Sequence, residues 1–296
     1  VCDFATYKFA RAVAKTRVIC SDSKGVEMRN IEPKALQYVC IGISFIFLGI
    51  MVALPLIIVF VEAFSEGIAV YWEALSDEYT IKAILLTLTC VAFVVPLNAI
   101  FGTFIAYAIA KFEFRGKFIL SSLIEIPFAV SPVIVGLCFV LLFGNSGFFG
   151  EILNAWDIKI IFALPAIILA SAFVTFPFVA KELIALMQEQ GKEEEEAAIS
   201  LGANGWQSFF KVTLPNIKWG LFYGVVLTNA RVIGEFGAVA VVSGKIIGLT
   251  TTMPLYIEIL YNDYLYTAAF AVASVLTLLS IIALILKCII EKYERA

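Results

Sequence analysis

The sequence predicts an all-α polytopic membrane protein with six transmembrane helices. Three observations predict it. Of 296 residues, 61% are hydrophobic and 15% charged, and the mean hydropathy is +0.97. So little polar surface does not solvate a globule of this size, and a membrane-embedded chain is the default class. Six apolar segments reach the roughly 20 residues a helix needs to cross the hydrocarbon core. Between them, basic residues gather in every second loop.

The apolar segments run over residues 35–61, 83–110, 118–143, 160–180, 219–243 and 264–286. Pro55, Pro96, Pro127, Pro132, Pro165 and Pro177 fall within them. Membrane helices tolerate proline where neighbouring groups satisfy the freed backbone. Lys8, Arg11, Lys15, Arg17, Lys24, Arg29 and Lys34 precede the first span. Lys111, Arg115 and Lys117 follow the second, and Lys181, Lys192, Lys211 and Lys218 follow the fourth. Lys287, Lys292 and Arg295 close the chain, whereas residues 64–80 hold no base but Glu66, Glu73, Asp77 and Glu78. The positive-inside rule puts both termini and the 181–218 loop in the cytoplasm. The expected organisation is a cytoplasmic tail over 1–34 and a six-span domain over 35–290. Residues 1–27 lack the apolar run of a signal peptide. They read either as that tail or as sequence upstream of a start at Met28.

Several function classes drop out. The chain has no histidine, which removes His-based acid–base chemistry and His-ligated metal. Cys2, Cys20, Cys40, Cys90, Cys138 and Cys288 are scattered without a C-x-x-C and read as small hydrophobes. No G-x-x-x-x-G-K-[S/T] occurs; Ser243-Gly244-Lys245 lacks its other elements, so the chain itself hydrolyses no ATP by a P-loop mechanism.

The 181–218 loop carries the clearest pattern. Helix formers run from Glu193 through Leu201, Gly202 stops them, Asn204-Gly205 extends the turn, and 206–212 suits a second short helix. A run of four glutamates is most often a solvated face. The spacing is more specific: Glu196-Ala197-Ala198, three residues, Gly202, nine residues, Val212, one residue, Leu214-Pro215. It resembles the cytoplasmic coupling loop of the inner-membrane subunits of binding-protein-dependent ABC importers (the MetI-like permeases), which usually have Ile at the position of Val212. The resemblance implies that Glu196, Ala197, Ala198, Gly202, Leu214 and Pro215 form a knob that docks on an ATPase subunit.

The fifth span holds a second constellation, Asn229 to Val239. Arg231 lies twelve residues into it, near the bilayer midplane, and Glu235 follows four residues on, so the two pair along one helix face. Ionisable groups at that depth face a protein interior or a pathway. Two readings stay open: an ion pair that locks the bundle, or Arg231 lending positive potential to an anion's path. Gly234 and Gly237 read as points of close helix contact. Ser243, Lys245, Thr250, Thr251 and Thr252 follow; they read as interfacial residues or, with Ser243 foremost, as contacts for an oxyanion at the pore mouth.

The A-R-x-x-G-E-F-G-A-V run and Val242-Ser243-Gly244 resemble the sulfate and molybdate branch of these permeases. Residues 253–262 and 268–274 resemble its sulfate/thiosulfate members, and within those the W type of two paired permeases; the usual His of the P-L-x-x-E-I-L segment is Tyr256 here. The resemblance spans about 29–290. It implies a permease subunit in a bacterial-type inner membrane, importing sulfate or thiosulfate. Its implied partners are a second, homologous permease, ABC ATPase subunits that bind the ATP and Mg, an extracytoplasmic sulfate-binding protein, and lipid; no nucleic acid and no cofactor in this chain is implied. Alternatives are a molybdate/tungstate permease of the same mechanism, or a stand-alone anion channel or secondary transporter.

Overall fold

The computed structural model describes residues 34–294, with side-chain surroundings for 38–289. The expected tail, Met28, Cys2 and Cys20 lie outside the described residues. The chain divides into two units, 1–55 and 56–296. In the first, α1 (Lys34–Leu48) leads into a π turn, Gly49–Ala53. The helix resumes as α2 (Leu54–Ala63), with Pro55 at its second position and all but its first two residues in the second unit. Proline has no N–H, and its ring collides with the carbonyl four residues back. A wider π turn ahead of it relieves that collision.

The second unit continues with α3 (Ile68–Ser76), α4 (Glu78–Lys111), α5 (Lys117–Ala129), α6 (Pro132–Phe143), α7 (Gly150–Ala155) and α8 (Leu164–Gln190). After them come α9 (Glu193–Ser200), α10 (Gly205–Ser208), a π turn at Phe209–Thr213, α11 (Leu214–Ile233), α12 (Gly237–Val242), α13 (Met253–Asn262) and α14 (Tyr266–Glu294). Asp77 caps α4, accepting from the N–H groups of Tyr79 and Thr80 at 3.0 and 3.2 Å. Glu78 in the first turn and Lys111 in the last complement the helix dipole.

Among the described residues, four helical spans are long and apolar enough to cross a membrane, Tyr38–Ala63, Glu78–Lys111, Leu164–Gln190 and Tyr266–Ile289, or five if one bent pair counts as a span. Two of the six expected spans differ. Residues 118–143 are not one helix but the pair α5 and α6, bent by 108°. Val130 and Ser131 are extended between them, because Pro132 starts α6 and forces extended backbone on the residue before it. Residues 219–243 also break. α11 ends at Gly234, and α12 is a separate short helix. α11 is 20 residues long but does not join the helices apolar enough to cross unaided, since Asn216, Lys218, Thr228, Asn229 and Arg231 interrupt its hydrophobicity.

α4, α8 and α11 pack together at the centre. A Cβ at Gly102 would lie 2.9 Å from Val179 Cβ, and one at Gly224 would lie 3.2 Å from Val179 Cα. The missing side chains let three backbones converge on Val179, the small-residue packing typical of membrane helices. Among the same helices, buried Asn98 donates to Thr175 Oγ1 at 2.7 Å, and Thr175 donates to Ser171 O at 2.7 Å. A second apolar cluster gathers Ile167, Ala170 and Val174 of α8 with Val135 of α6, Val239 of α12 and Leu255 of α13. At the other end of α4 from Lys111, Tyr256 of α13 donates its hydroxyl to Asp77 Oδ2 at 3.1 Å, and the Met253 N–H donates to Thr87 at 2.9 Å.

Candidate functional site

The loop between α8 and α11 folds as a compact knob. α9 ends in a hydrogen-bonded reversal: the Gly202 N–H donates to Ile199 O at 2.9 Å and the Ala203 N–H to Ala198 O at 3.0 Å. Gly202 takes φ +92°, the left-handed conformation that this reversal needs and that only glycine adopts without strain. Asn204 and Gln207 then cap α10 reciprocally: Asn204 Oδ1 accepts from the Gln207 N–H at 2.8 Å, and Gln207 Oε1 from the Asn204 N–H at 3.0 Å. The expected second short helix over 206–212 is instead α10 plus a π turn. That turn stands directly before Leu214-Pro215, as the earlier one stands before Leu54-Pro55, and the same proline collision explains both.

Glu196, Ala197 and Gly202 are exposed, Ala198 and Leu214 are half-buried and Pro215 is exposed. Between them the knob presents Ile199, Leu201, Trp206 and Phe210, exposed by 56%, 90%, 67% and 56%. Trp206 and Phe210 stack with centroids 6.1 Å apart. Four large apolar side chains thus stand exposed on a loop otherwise rich in charge.

The knob also holds a group of contacts that the spacing pattern does not contain. Lys111, at the end of α4, approaches Glu195 Oε1 at 2.7 Å, and the two side chains are 7% and 13% exposed. Lys111 also donates to the Gly191 carbonyl. Thr213 donates to the same Glu195 oxygen at 3.0 Å. Burial pushes the Glu195 carboxyl up, but the hydrogen bonds from Lys111 and Thr213 outweigh it and hold the group below its ordinary value. A carboxyl so depressed contributes stability that is fully present at neutral pH and is lost as pH falls through the lowered value. Asn216 donates to Glu194 at the knob's surface.

The second constellation comes together across a helix break. Arg231 sits in the last turn of α11, and its guanidinium lies 2.9 Å from Glu235 Oε2. Glu235 is not on α11, contrary to a pair along one helix face. It sits in the Gly234–Phe236 break, and its Oε1 accepts from the Ala238 N–H of α12 at 3.1 Å. The Glu235 side chain is 1% exposed and that of Arg231 36%. Gly237 does approach another helix closely, with a Cβ position 3.0 Å from Pro132 Cβ. Among the described residues a Cβ at Gly234 would meet no other helix, and this glycine ends α11. Ser243 is fully buried and accepts from the Lys245 N–H at 3.1 Å, Lys245 pairs with Glu258 at 2.7 Å, and Thr250 and Thr251 bond to the Ile246 backbone. These groups build the turn after α12.

A cavity of 610 Å³ is lined by Asn145, Ser146, Asn154, Lys159 and apolar neighbours, among them Phe162, whose N–H donates to the Val242 carbonyl at the end of α12; none of the site residues above lines it. Among the described residues no group of His, Cys, Asp or Glu is placed to hold a metal ion.

Residues 98–295 match the family model described as binding-protein-dependent transport system inner membrane component. The chain is 47% identical over 257 residues, 87% of its length and 93% of the relative's, to the sulfate transport system permease protein CysW of Synechocystis sp.. It is 36% identical over 245 residues, 82% of its length and 88% of the relative's, to the sulfate transport system permease protein CysT of Escherichia coli. Among solved structures, a chain of the bacterial alginate ABC transporter in complex with an alginate pentasaccharide-bound periplasmic protein superposes with a TM-score of 0.73. That match covers 88% of this chain and 94% of the other at 19% identity, which shows a shared fold.

Proposed function

The chain belongs to the binding-protein-dependent transport system inner membrane component family, and on that premise we propose that it is the W-type permease subunit of an ATP-driven importer of sulfate, with thiosulfate taken by the same path. The observation that carries this reading is the knob over 193–213, with its exposed Ile199, Leu201, Trp206 and Phe210 and the Glu196-Ala197-Ala198…Gly202…Leu214-Pro215 frame. The similarity to permeases named for sulfate transport supports the substrate.

The subunit is not itself an enzyme; ATP and Mg are held by separate ATPase subunits, on which the knob docks. The path lies between this chain and a second permease of CysT type, fed by an extracytoplasmic sulfate-binding protein. Basic residues in alternate loops support an inner-membrane placement with the knob and both termini in the cytoplasm. Closure of the ATPase dimer would move the knob and tilt the spans between inward- and outward-open states. Arg231 and Glu235 lock the α11–α12 break, and the exposed part of Arg231 leaves a positive charge available to a passing oxyanion.

Reconstitution tests the reading. The purified chain in liposomes is expected to show no ATP hydrolysis and no uptake of labelled sulfate. Uptake should appear when ATPase, second permease and binding protein are added with ATP. Turnover by the chain alone would sink the importer reading in favour of a channel or secondary transporter. Within the assembled complex, Gly202→Val forces a β-branched residue into φ +92° and should abolish uptake at matched protein amounts.

A further inference from the structure

One glutamate of the four in 193–196 differs from its neighbours. Glu193, Glu194 and Glu196 are exposed, whereas the Glu195 side chain is only 13% exposed and meets two donors from two other elements. Lys111 belongs to the last turn of α4, and Thr213 closes the π turn that opens α11. One carboxylate therefore joins the knob helix α9 to both long helices that enter the bundle beside it.

A second side-chain tie of α9 to these helices, Asn216 to Glu194, is exposed to water and correspondingly weaker. α8 reaches it through Gly191, at φ +74° with nothing within 4 Å of a Cβ position, and α9 leaves through Gly202. A push on a helix held between two such joints would swivel it. The Lys111 ammonium closes the first joint by gripping the Gly191 carbonyl as well as Glu195. A charge-assisted contact sheltered from water is stiff and little screened by salt.

We propose that Lys111 and Glu195 are positioning residues that carry the knob's displacement into α4, with Thr213 carrying it into α11. The proposal rests on the reading of 193–213 as the surface an ATPase pushes. It assigns to the pair the conversion of that push into movement of the spans, not the docking itself. Loss of the pair then leaves an ATPase that docks and hydrolyses, on a permease that moves less sulfate for each ATP.

The test measures labelled sulfate uptake and phosphate release together, in proteoliposomes holding the assembled transporter. Glu195→Ala and Lys111→Ala are each expected to lower sulfate imported per ATP hydrolysed by about tenfold, within the usual range of coupling between sites. Lys111→Arg, which keeps the charge and the donors for both Gly191 and Glu195, should hold the ratio to within about threefold of the parent. A pair that only holds the loop's fold would reduce the amount of complex and leave the ratio of the remainder unchanged; that result overturns the proposal. So does a Lys111→Arg variant no better than Lys111→Ala. Should the alanine variants not assemble, Lys111→Gln carries the same test, because it keeps donors for Gly191 and Glu195 without the charge. Gly202→Val separates the two levels. Uptake lost there with an intact ratio in the pair variants overturns the pair's role alone. Uptake intact in Gly202→Val overturns the reading of the knob.

Discussion

Arg231→Ala is expected to prevent stable assembly of the permease. The substitution leaves Glu235, 1% exposed, with a single backbone N–H for partner. Removing one member of a buried ion pair typically costs about 3–5 kcal/mol, most of it the uncompensated charge left behind. The break between α11 and α12 should suffer first, because Glu235 Oε1 also caps α12 through Ala238. The double variant Arg231→Met/Glu235→Gln removes both charges and should restore the yield of complex. Its labelled sulfate uptake then decides the role of Arg231. Full uptake assigns the pair to locking the break; normal assembly with poor uptake assigns Arg231 to the anion's path. Arg231→Lys keeps the charge without the guanidinium's planar fork and should retain part of the activity.

Gly102→Leu is expected to have an effect of similar size by a different cause. Even its Cβ would lie 2.9 Å from both Val179 Cβ and Cγ1, and 3.3 Å from Ala180 N. The helices have little room to part locally, because α11 also closes on Val179 at Gly224. Overpacking by a few methylenes costs about 1–3 kcal/mol where the surroundings adjust, and two backbones meeting one valine leave little adjustment. Thermal unfolding of the purified chain in detergent should show a markedly lower midpoint for Gly102→Leu. Gly205→Ala, at a glycine with nothing within 4 Å of its Cβ position, should unfold close to the parent.

Hydropathy made the long spans legible because a membrane helix must be apolar over its whole length, a property of composition alone. The breaks were not legible for the same reason. Pro127 and Pro132 stand out in the sequence, yet proline is tolerated inside α4 at Pro96 and inside α8 at Pro177. Only the extended backbone at Val130 and Ser131 distinguishes a 108° bend from a tolerated proline. Gly234 and Gly237 look alike in a G-E-F-G run, but one ends a helix and the other receives Pro132. The knob's outline followed from spacing, since turns are local. Its anchoring did not: Glu195 is one of four adjacent glutamates, and its partner Lys111 lies 84 residues away, noticed in the sequence only as a positive charge after a span.

The contact between Tyr256 and Asp77 bears on how the far end of α4 responds to acidity. In the pattern this chain resembles, the position of Tyr256 is usually histidine, a side chain that gains charge between about pH 5 and 8. Tyrosine stays neutral throughout that interval. Burial, followed by the nearby Asp77 charge, pushes its ionisation further up still. The hydroxyl therefore remains a donor to Asp77 in mildly acidic and mildly alkaline surroundings alike. A histidine there would grip Asp77 more firmly as the medium acidified and loosen as it became alkaline. With tyrosine, the join between α13 and the capped end of α4 is indifferent to such swings.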